Sequence, residues 1–252
     1  MTKALIEVKK LTKRYGNLKA VDDVSFKVYQ NEIFGFLGPN GAGKTTTLEI
    51  IETLREKTSG EVRIGNYSVD KNPNDIRAII GIQLQSSGFH PDLTLVEILR
   101  LFGSLYGVSV DPIRMLKMVD LVEKKKSKVK QLSGGQKQRF SVATTLVNEP
   151  EIIFLDEPST GLDPQARRNL WKLIKQIRKK GTTIILTTHF MDEAEYLCDR
   201  VAIMDKGKIL KIDSPQNLID ELVKGGFKKN EVVNKATLED VFLALTGKAL
   251  RD

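Results

Sequence analysis

The sequence predicts an α/β protein in which a buried, largely parallel sheet is preceded by an antiparallel β region and interrupted by a helical insertion. Three observations carry this expectation. Continuous apolar runs of strand length occur at 33–37, 152–155 and 182–188 (IFGFL, IIFL, TTIILTT), as strands covered on both faces require. Val24, Phe26 and Val28 alternate with Ser25, Lys27 and Tyr29, the period of a strand with one buried and one wet face. From about residue 86 to 147 the apolar spacing becomes helical and strand-like runs stop.

In chain order, LIEV at 5–8 opens the antiparallel region, and Lys13, Arg14, Tyr15 and Gly16 read as a strand end and turn. The Tyr15 ring offers a π-face to an adenine, or packs on its own sheet. After the 33–37 strand comes GPNGAGKTT at 38–46, which fits G-x-x-x-x-G-K-[ST] without a gap, and then TLEIIETL at 47–54 with helical spacing. Strand, glycine-rich turn and helix start together make a phosphate cradle. Gly38, Gly41 and Gly43 let the backbone turn its N–H groups inward, Asn40 and Thr46 belong to the same stretch, and the helix adds its positive end. In that geometry Lys44 reaches the β- and γ-phosphates and Thr45 ligates Mg²⁺. A glycine-rich turn without a ligand is the plain alternative.

Thr58, Ser59 and Gly60 form a predicted turn, 61–64 a short strand, and AIIGIQLQ at 78–85 a mostly buried strand with a polar end. Strand ends are where open α/β sheets place ligands. Thr94 with Glu97 is a capping box, followed by Leu95, Ile98, Leu99, Phe102 and Leu105 up to Gly107. Asp111 and Pro112 open a second helix, with Ile113, Leu116 and Val119 as its stripe. LSGGQ at 132–136 precedes a third. Ser133, Gly134 and Gly135 ahead of a helix present N–H groups to an anion, and an ordinary serine N-cap is the alternative.

The 152–155 strand ends at Asp156 and Glu157. Adjacent carboxylates are costly there unless cations or water use them. Asp156 is suited to holding Mg²⁺ through its water shell, and Glu157 to orienting or deprotonating an attacking water; a surface turn is the alternative. Leu162, Asp163 and Pro164 start a helix whose predicted buried stripe is Leu170, Trp171, Leu173, Ile174 and Ile177, with Trp171 in the core. His189 ends the 182–188 strand, where a phosphate contact competes with a structural role, and His90 reads as surface. VAIM at 201–204 and KILK at 208–211 flank a hairpin turn, and Ser214 with Pro215 starts a short helix. Residues 228–235 read as a linker, and TLED at 237–240 begins a last amphipathic helix.

No run approaches the roughly 18 to 20 apolar residues of a bilayer span, and the N-terminus lacks the apolar core of a signal peptide, so a cytoplasmic chain is expected. The single cysteine, Cys198, cannot form an internal disulfide and is expected in the packed core. A net charge of +8 attracts nucleic acid and anionic membranes alike. The densest basic run, 124–130, holds no aromatic residue to stack a base, so it reads as a solvated loop and weighs against nucleic acid.

Taken together, these residues resemble the nucleotide-binding subunit of an ABC transporter over almost the whole chain. Residues 38–46 are similar to that family's Walker A, 132–136 match its LSGGQ signature, and 152–157 match Walker B with its catalytic glutamate. Residues 159–163 resemble its D-loop, which brings in Asp163. Gln85 resembles the Q-loop glutamine, with Gln83 as the competing alignment; Tyr15 and His189 resemble the adenine-stacking aromatic and the switch histidine. The resemblance implies a P-loop NTPase (RecA-like) core, ATP and Mg²⁺ as ligands, Thr45, Gln85 and Asp156 on the metal, and catalysis by Glu157 with His189 and Gln85. It also implies a head-to-tail dimer, homomeric or heteromeric, in which Ser133, Gly134, Gly135 and Gln136 of one subunit close over Gly38, Asn40, Gly41, Gly43, Lys44, Thr45 and Thr46 of the other. Integral-membrane permease subunits are the implied partners, with the chain peripheral on the cytoplasmic face of the membrane. The segment 237–247 resembles ATPases paired with ABC-2-type permeases, including the drug-resistance branch, and points to export.

The division expected is an antiparallel β subdomain with the first part of the ATPase core (1–85), a helical signature subdomain (86–147), the rest of the core (148–224), and a C-terminal linker and helix (225–252). A soluble ABC-type ATPase acting on nucleic acid or ribosomes is the alternative function. The missing coiled-coil insertion and aromatic-basic patch stand against it.

Overall fold

The computed structural model describes residues 4–83, 88–227 and 238–246. Gln85, Thr237 and the 228–235 linker lie outside them. Among the described residues two sheets form the frame. Strands β1 (Ala4–Tyr15), β2 (Leu18–Tyr29), β4 (Ser59–Ile64) and β5 (Tyr67–Ser68) make an antiparallel sheet in the order β2-β1-β4-β5. The second sheet runs β10-β9-β3-β8-β7-β6, from β3 (Ile33–Leu37), β6 (Ile80–Gln83), β7 (Ile152–Asp156), β8 (Thr183–Thr188), β9 (Arg200–Asp205) and β10 (Lys208–Asp213). All its pairs are parallel except the β9–β10 hairpin.

Every residue of β3, β7 and β8 is buried, which explains why their sequences carry no polar alternation. Successive side chains enter opposite layers. Phe34, Phe36, Phe154, Ile185 and Ala202 share one core with the antiparallel sheet and with α1 (Lys44–Ile51), where Phe26, Phe34 and Phe36 pack with ring centroids 5.2–5.6 Å apart. Ile33, Leu37, Ile153, Leu155, Ile184, Leu186 and Ile203 face the other core. That core is closed by α3 (Leu95–Tyr106), α4 (Pro112–Met118), α5 (Gly134–Thr144), α6 (Pro164–Lys179), α7 (Met191–Leu197), α8 (Pro215–Lys224) and α9 (Leu238–Thr246). Each fully buried Phe, Leu or Ile is worth about 1.5–3 kcal/mol. Cys198 belongs to this second core, and burial pushes its thiol well above the usual range.

Four local expectations are corrected. Ala78 and Ile79 end a helix, α2 (Pro73–Ile79), and the strand begins only at Ile80. Ser59 and Gly60 are not a turn but the start of β4: Ser59 pairs with Thr12 across a bulge. There Gly60 takes φ +95°, and a Cβ on it would meet the Lys10 carbonyl oxygen at 2.4 Å. Leu105 is exposed, because the last turn of α3 is buried through Gly103, whose missing side chain admits Val110. Ile113 is also exposed; Met115 and Leu116 carry the buried side of α4.

Candidate active site

The C-terminal ends of β3, β7 and β8 lie side by side, since β3 pairs with β8 and β8 with β7 in parallel register. Beyond β3, residues 38–43 turn back into α1. Gly41 and Gly43 take φ +79° and +97°, conformations that cost a side-chain-bearing residue about 1–2 kcal/mol. Space is short as well: a Cβ on Gly38 would stand 2.2 Å from the Met204 carbonyl oxygen, and one on Gly43 2.4 Å from that of Ala20. Gly43 is the N-cap of α1, and among the described residues no side chain caps this helix, so its first N–H groups are offered to an external acceptor.

Lys44 is only 4% exposed. Its Nζ donates to the carbonyls of Gly38 (2.8 Å) and Pro39 (3.0 Å) and lies 3.9 Å from Glu157 Oε1. Burial holds its pKa below the ordinary lysine value, against the opposing charges of Glu157 and Asp156. The Thr45 hydroxyl donates to Asp156, 3.2 and 3.3 Å from its two oxygens, and the Thr187 hydroxyl on the neighbouring strand donates to the same carboxylate. Asp156 is 6% exposed, and burial raises its pKa despite those hydrogen bonds.

Glu157 follows with φ +47°, held by N–H bonds to the Thr187 carbonyl (3.2 Å) and hydroxyl (3.0 Å). This turn swings its side chain back over the cradle. Glu157 Oε2 accepts from the Thr160 hydroxyl at 3.1 Å and stands 3.4 Å from His189 Nδ1 at the end of β8. One cluster thus holds a buried cation, three threonine hydroxyls, two carboxylates and an imidazole beside the N-terminus of α1. Such a set can bind a polyphosphate and position water against it.

The other predicted residues lie apart. Tyr15 is 42% exposed at the end of β1, with Lys13 Nζ 5.1 Å and the Arg55 guanidinium 5.6 Å from its ring centre. Ser133 is the N-cap of α5 in a reciprocal capping box with Gln136, at 3.3 and 3.0 Å. A Cβ on Gly134 would make an ordinary contact with Leu162 Cδ2 at 4.0 Å, whereas one on Gly135 would meet Ala166 Cβ at 2.8 Å. Asp163 caps α6 by accepting from the N–H groups of Gln165 and Ala166, both at 2.9 Å. Among the described residues no hydrogen bond or ion pair joins Ser133, Gln136 or Asp163 to the Lys44 cluster. Gln83 is buried at the end of β6. His90 is exposed, as expected.

Thr187, Thr160 and Glu52 are site neighbours that the sequence reading did not single out. The run of threonines just before His189 was the available signal for the first. A buried hydroxyl at the end of a parallel strand must find an acceptor. Among the described residues no group of three or more His, Cys, Asp or Glu side chains converges as a metal cage. Thr45 and Asp156 supply two hard oxygen donors instead, a set that suits a Mg²⁺ ion completed by phosphate and water.

A sequence profile of the family described as ABC transporter matches residues 21–160. The chain belongs to the ABC transporter family. As an ABC ATP-binding subunit it is 40% identical over 224 residues to Nod factor export ATP-binding protein I of Paraburkholderia xenovorans, which covers 87% of this chain and 74% of the relative. It is 36% identical over 223 residues to the linearmycin resistance ATP-binding protein LnrL of Bacillus subtilis (86% and 72%). Among solved structures, an ATP-binding subunit of an ABC transporter superposes with a TM-score of 0.81 at 29% identity, covering 96% of this chain and 99% of the other. A dimeric ATP-binding cassette in a post-hydrolysis state, bound to ADP and Pi, gives 0.74 at 29% identity (83% and 98%). The expected P-loop core with an antiparallel sheet and a set of added helices is therefore the ABC cassette fold.

Proposed function

We propose that this ABC subunit hydrolyses ATP to drive export of a substrate through separate membrane permease subunits. The observation that carries the proposal is the convergence of Lys44, Thr45, Asp156, Glu157 and His189 at three adjacent strand ends. The export-type names of the relatives support the direction of transport.

In this reading Gly38, Asn40, Gly41, Gly43 and Thr46 wrap the β- and γ-phosphates. Lys44 exchanges its bonds to the Gly38 and Pro39 carbonyls for phosphate oxygens, which suit a buried ammonium better. Tyr15 stacks on the adenine. Thr45, Asp156 and Gln85 would hold Mg²⁺, which would supply positive charge against the negative charge of the phosphates. Glu157 accepts a proton from the attacking water as its oxygen bonds to the γ-phosphorus. The bond from that phosphorus to the β–γ bridging oxygen breaks with its electron pair leaving on ADP. His189 holds the transferred group against Glu157. Ser133, Gly134, Gly135 and Gln136 close the site from a second copy or a related subunit, and Asp163 lies at that contact.

The four-part division at 1–85, 86–147, 148–224 and 225–252 belongs to the same proposal, with the helices after residue 86 moving as the dimer opens. No helix among the described residues is long and apolar enough to cross a membrane. In this proposal the chain sits peripherally on the cytoplasmic face, bound to its permease, in keeping with the export-type names of the relatives.

The test is Glu157→Gln. The variant should lose at least about 100-fold in turnover, keep its ATP affinity and accumulate an ATP-bound dimer on gel filtration. Hydrolysis at the parent rate would sink the assignment.

A further inference from the structure

Behind Glu157 and His189 lies a second polar cluster that phosphate binding does not use. Glu193, in the first turn of α7, is fully buried. Its Oε1 accepts from the Ser159 hydroxyl and from Trp171 Nε1–H at 2.9 Å, and the same indole N–H lies 3.0 Å from Ser159 Oγ. These three residues come from the segments that matter most. Ser159 follows Glu157 closely on the same loop, Glu193 begins the helix after His189, and Trp171 anchors both to α6.

A carboxyl in this place is costly unless it is hydrogen-bonded and neutral. Burial pushes its pKa up, opposed by the side chains of Ser159, Thr188 and Trp171 and by the charge of Arg167, while among the described residues Oε2 has no hydrogen-bond partner. An apolar side chain would fill the same volume without that cost. What only a directional group supplies is a fixed distance between two segments. A second tie runs alongside. Arg167 lies over the Phe190 ring at 4.2 Å and pairs with Asp192 at 3.3 Å, while the Phe190 and His189 rings are 4.1 Å apart.

We propose that Glu193 is a positioning residue for hydrolysis: by holding Ser159 and Trp171 it fixes the segments that carry Glu157 and His189 at their 3.4 Å approach. The inference rests on the roles given to Glu157 and His189 above. Glu193 itself does not touch nucleotide; it acts through the alignment of groups that do. A misplacement of about 1 Å in such groups costs on the order of 100-fold in rate.

Steady-state ATPase kinetics on the purified full chain test this, with fluorescent-nucleotide binding and thermal melting as controls. Glu193→Ala should lower kcat by about ten-fold or more while KM and nucleotide Kd stay within about two-fold. Glu193→Gln, which keeps one acceptor oxygen and one donor, should recover most of that loss. Ser159→Ala combined with Glu193→Ala should be no slower than Glu193→Ala alone, because the groups act as one unit. The inference is overturned if Glu193→Ala turns over at the parent kcat, or if kcat, KM and melting temperature all worsen and Gln rescues none of them. Should the alanine variant fail to fold, Trp171→Phe decides: a fall in kcat at constant KM supports the role, and a parental kcat refutes it. Failure of the underlying reading looks different, since Glu157→Gln would then hydrolyse ATP whatever happens at Glu193.

Discussion

Glu52 closes the C-terminal end of α1, the helix that starts at the phosphate cradle, and it is 2% exposed. Burial, then the charges of Asp156 and Glu49, raise its pKa from an ordinary 4.5 to about 8. The folded protein thus keeps a proton that the unfolded chain releases. Stability contributed by this group is fully present below about pH 4.5 and is lost as pH rises through about 8. Each pH unit across that interval is worth about 1.4 kcal/mol, so the whole loss comes to about 4–5 kcal/mol. Glu52→Gln stays neutral throughout and removes the effect. Urea unfolding of parent and variant between about pH 5 and pH 8.5 measures it, because titrating groups that do not interact with Glu52 cancel in the difference. The stability of Glu52→Gln relative to the parent should climb by about 4 kcal/mol over that range. Parallel curves would show that Glu52 is ionised in the folded state and that the argument from burial is wrong.

Two further substitutions probe the phosphate cradle and the start of α3. Gly38→Ala drives a Cβ to 2.2 Å from the Met204 carbonyl on the adjoining strand; it should cost about 1–3 kcal/mol in denaturant unfolding and abolish measurable ATP binding. Thr94→Ala removes the capping box of α3 and should cost about 1 kcal/mol, about 2–4 °C in Tm, with nucleotide affinity unchanged.

The frame of this protein was legible because its signals are local. IFGFL, IIFL and TIILTT are apolar throughout because both faces of the parallel sheet are covered, and the capping residues Thr94, Asp111, Ser133, Asp163 and Ser214 all sit where their helices begin. The glycines of the cradle announced themselves by spacing, and the structure adds that Gly38 and Gly43 are required by contact with β9 and β2. What the sequence hid depends on neighbours distant in the chain. Ala78 and Ile79 look like strand because they are apolar and adjoin one, yet Pro73 had already opened a helix around them. Gly60 looked like a turn because a bulge against Lys10 has the same residue preference. Glu193 was indistinguishable from any acidic first-turn residue, since its partners Ser159 and Trp171 are 34 and 22 positions away.

In the proposed dimer the Lys44 cluster is half of a site completed by Ser133 and its neighbours on another subunit. Mixing two inactive variants tests it most directly. A Lys44→Ala chain lacks a working cradle, and a Ser133→Arg chain lacks a working lid. If each site is built from both subunits, a mixed dimer restores one intact site, and an equimolar mixture should regain roughly a quarter of the parent ATPase activity. If the site were complete within one chain, the mixture would stay as inactive as its components.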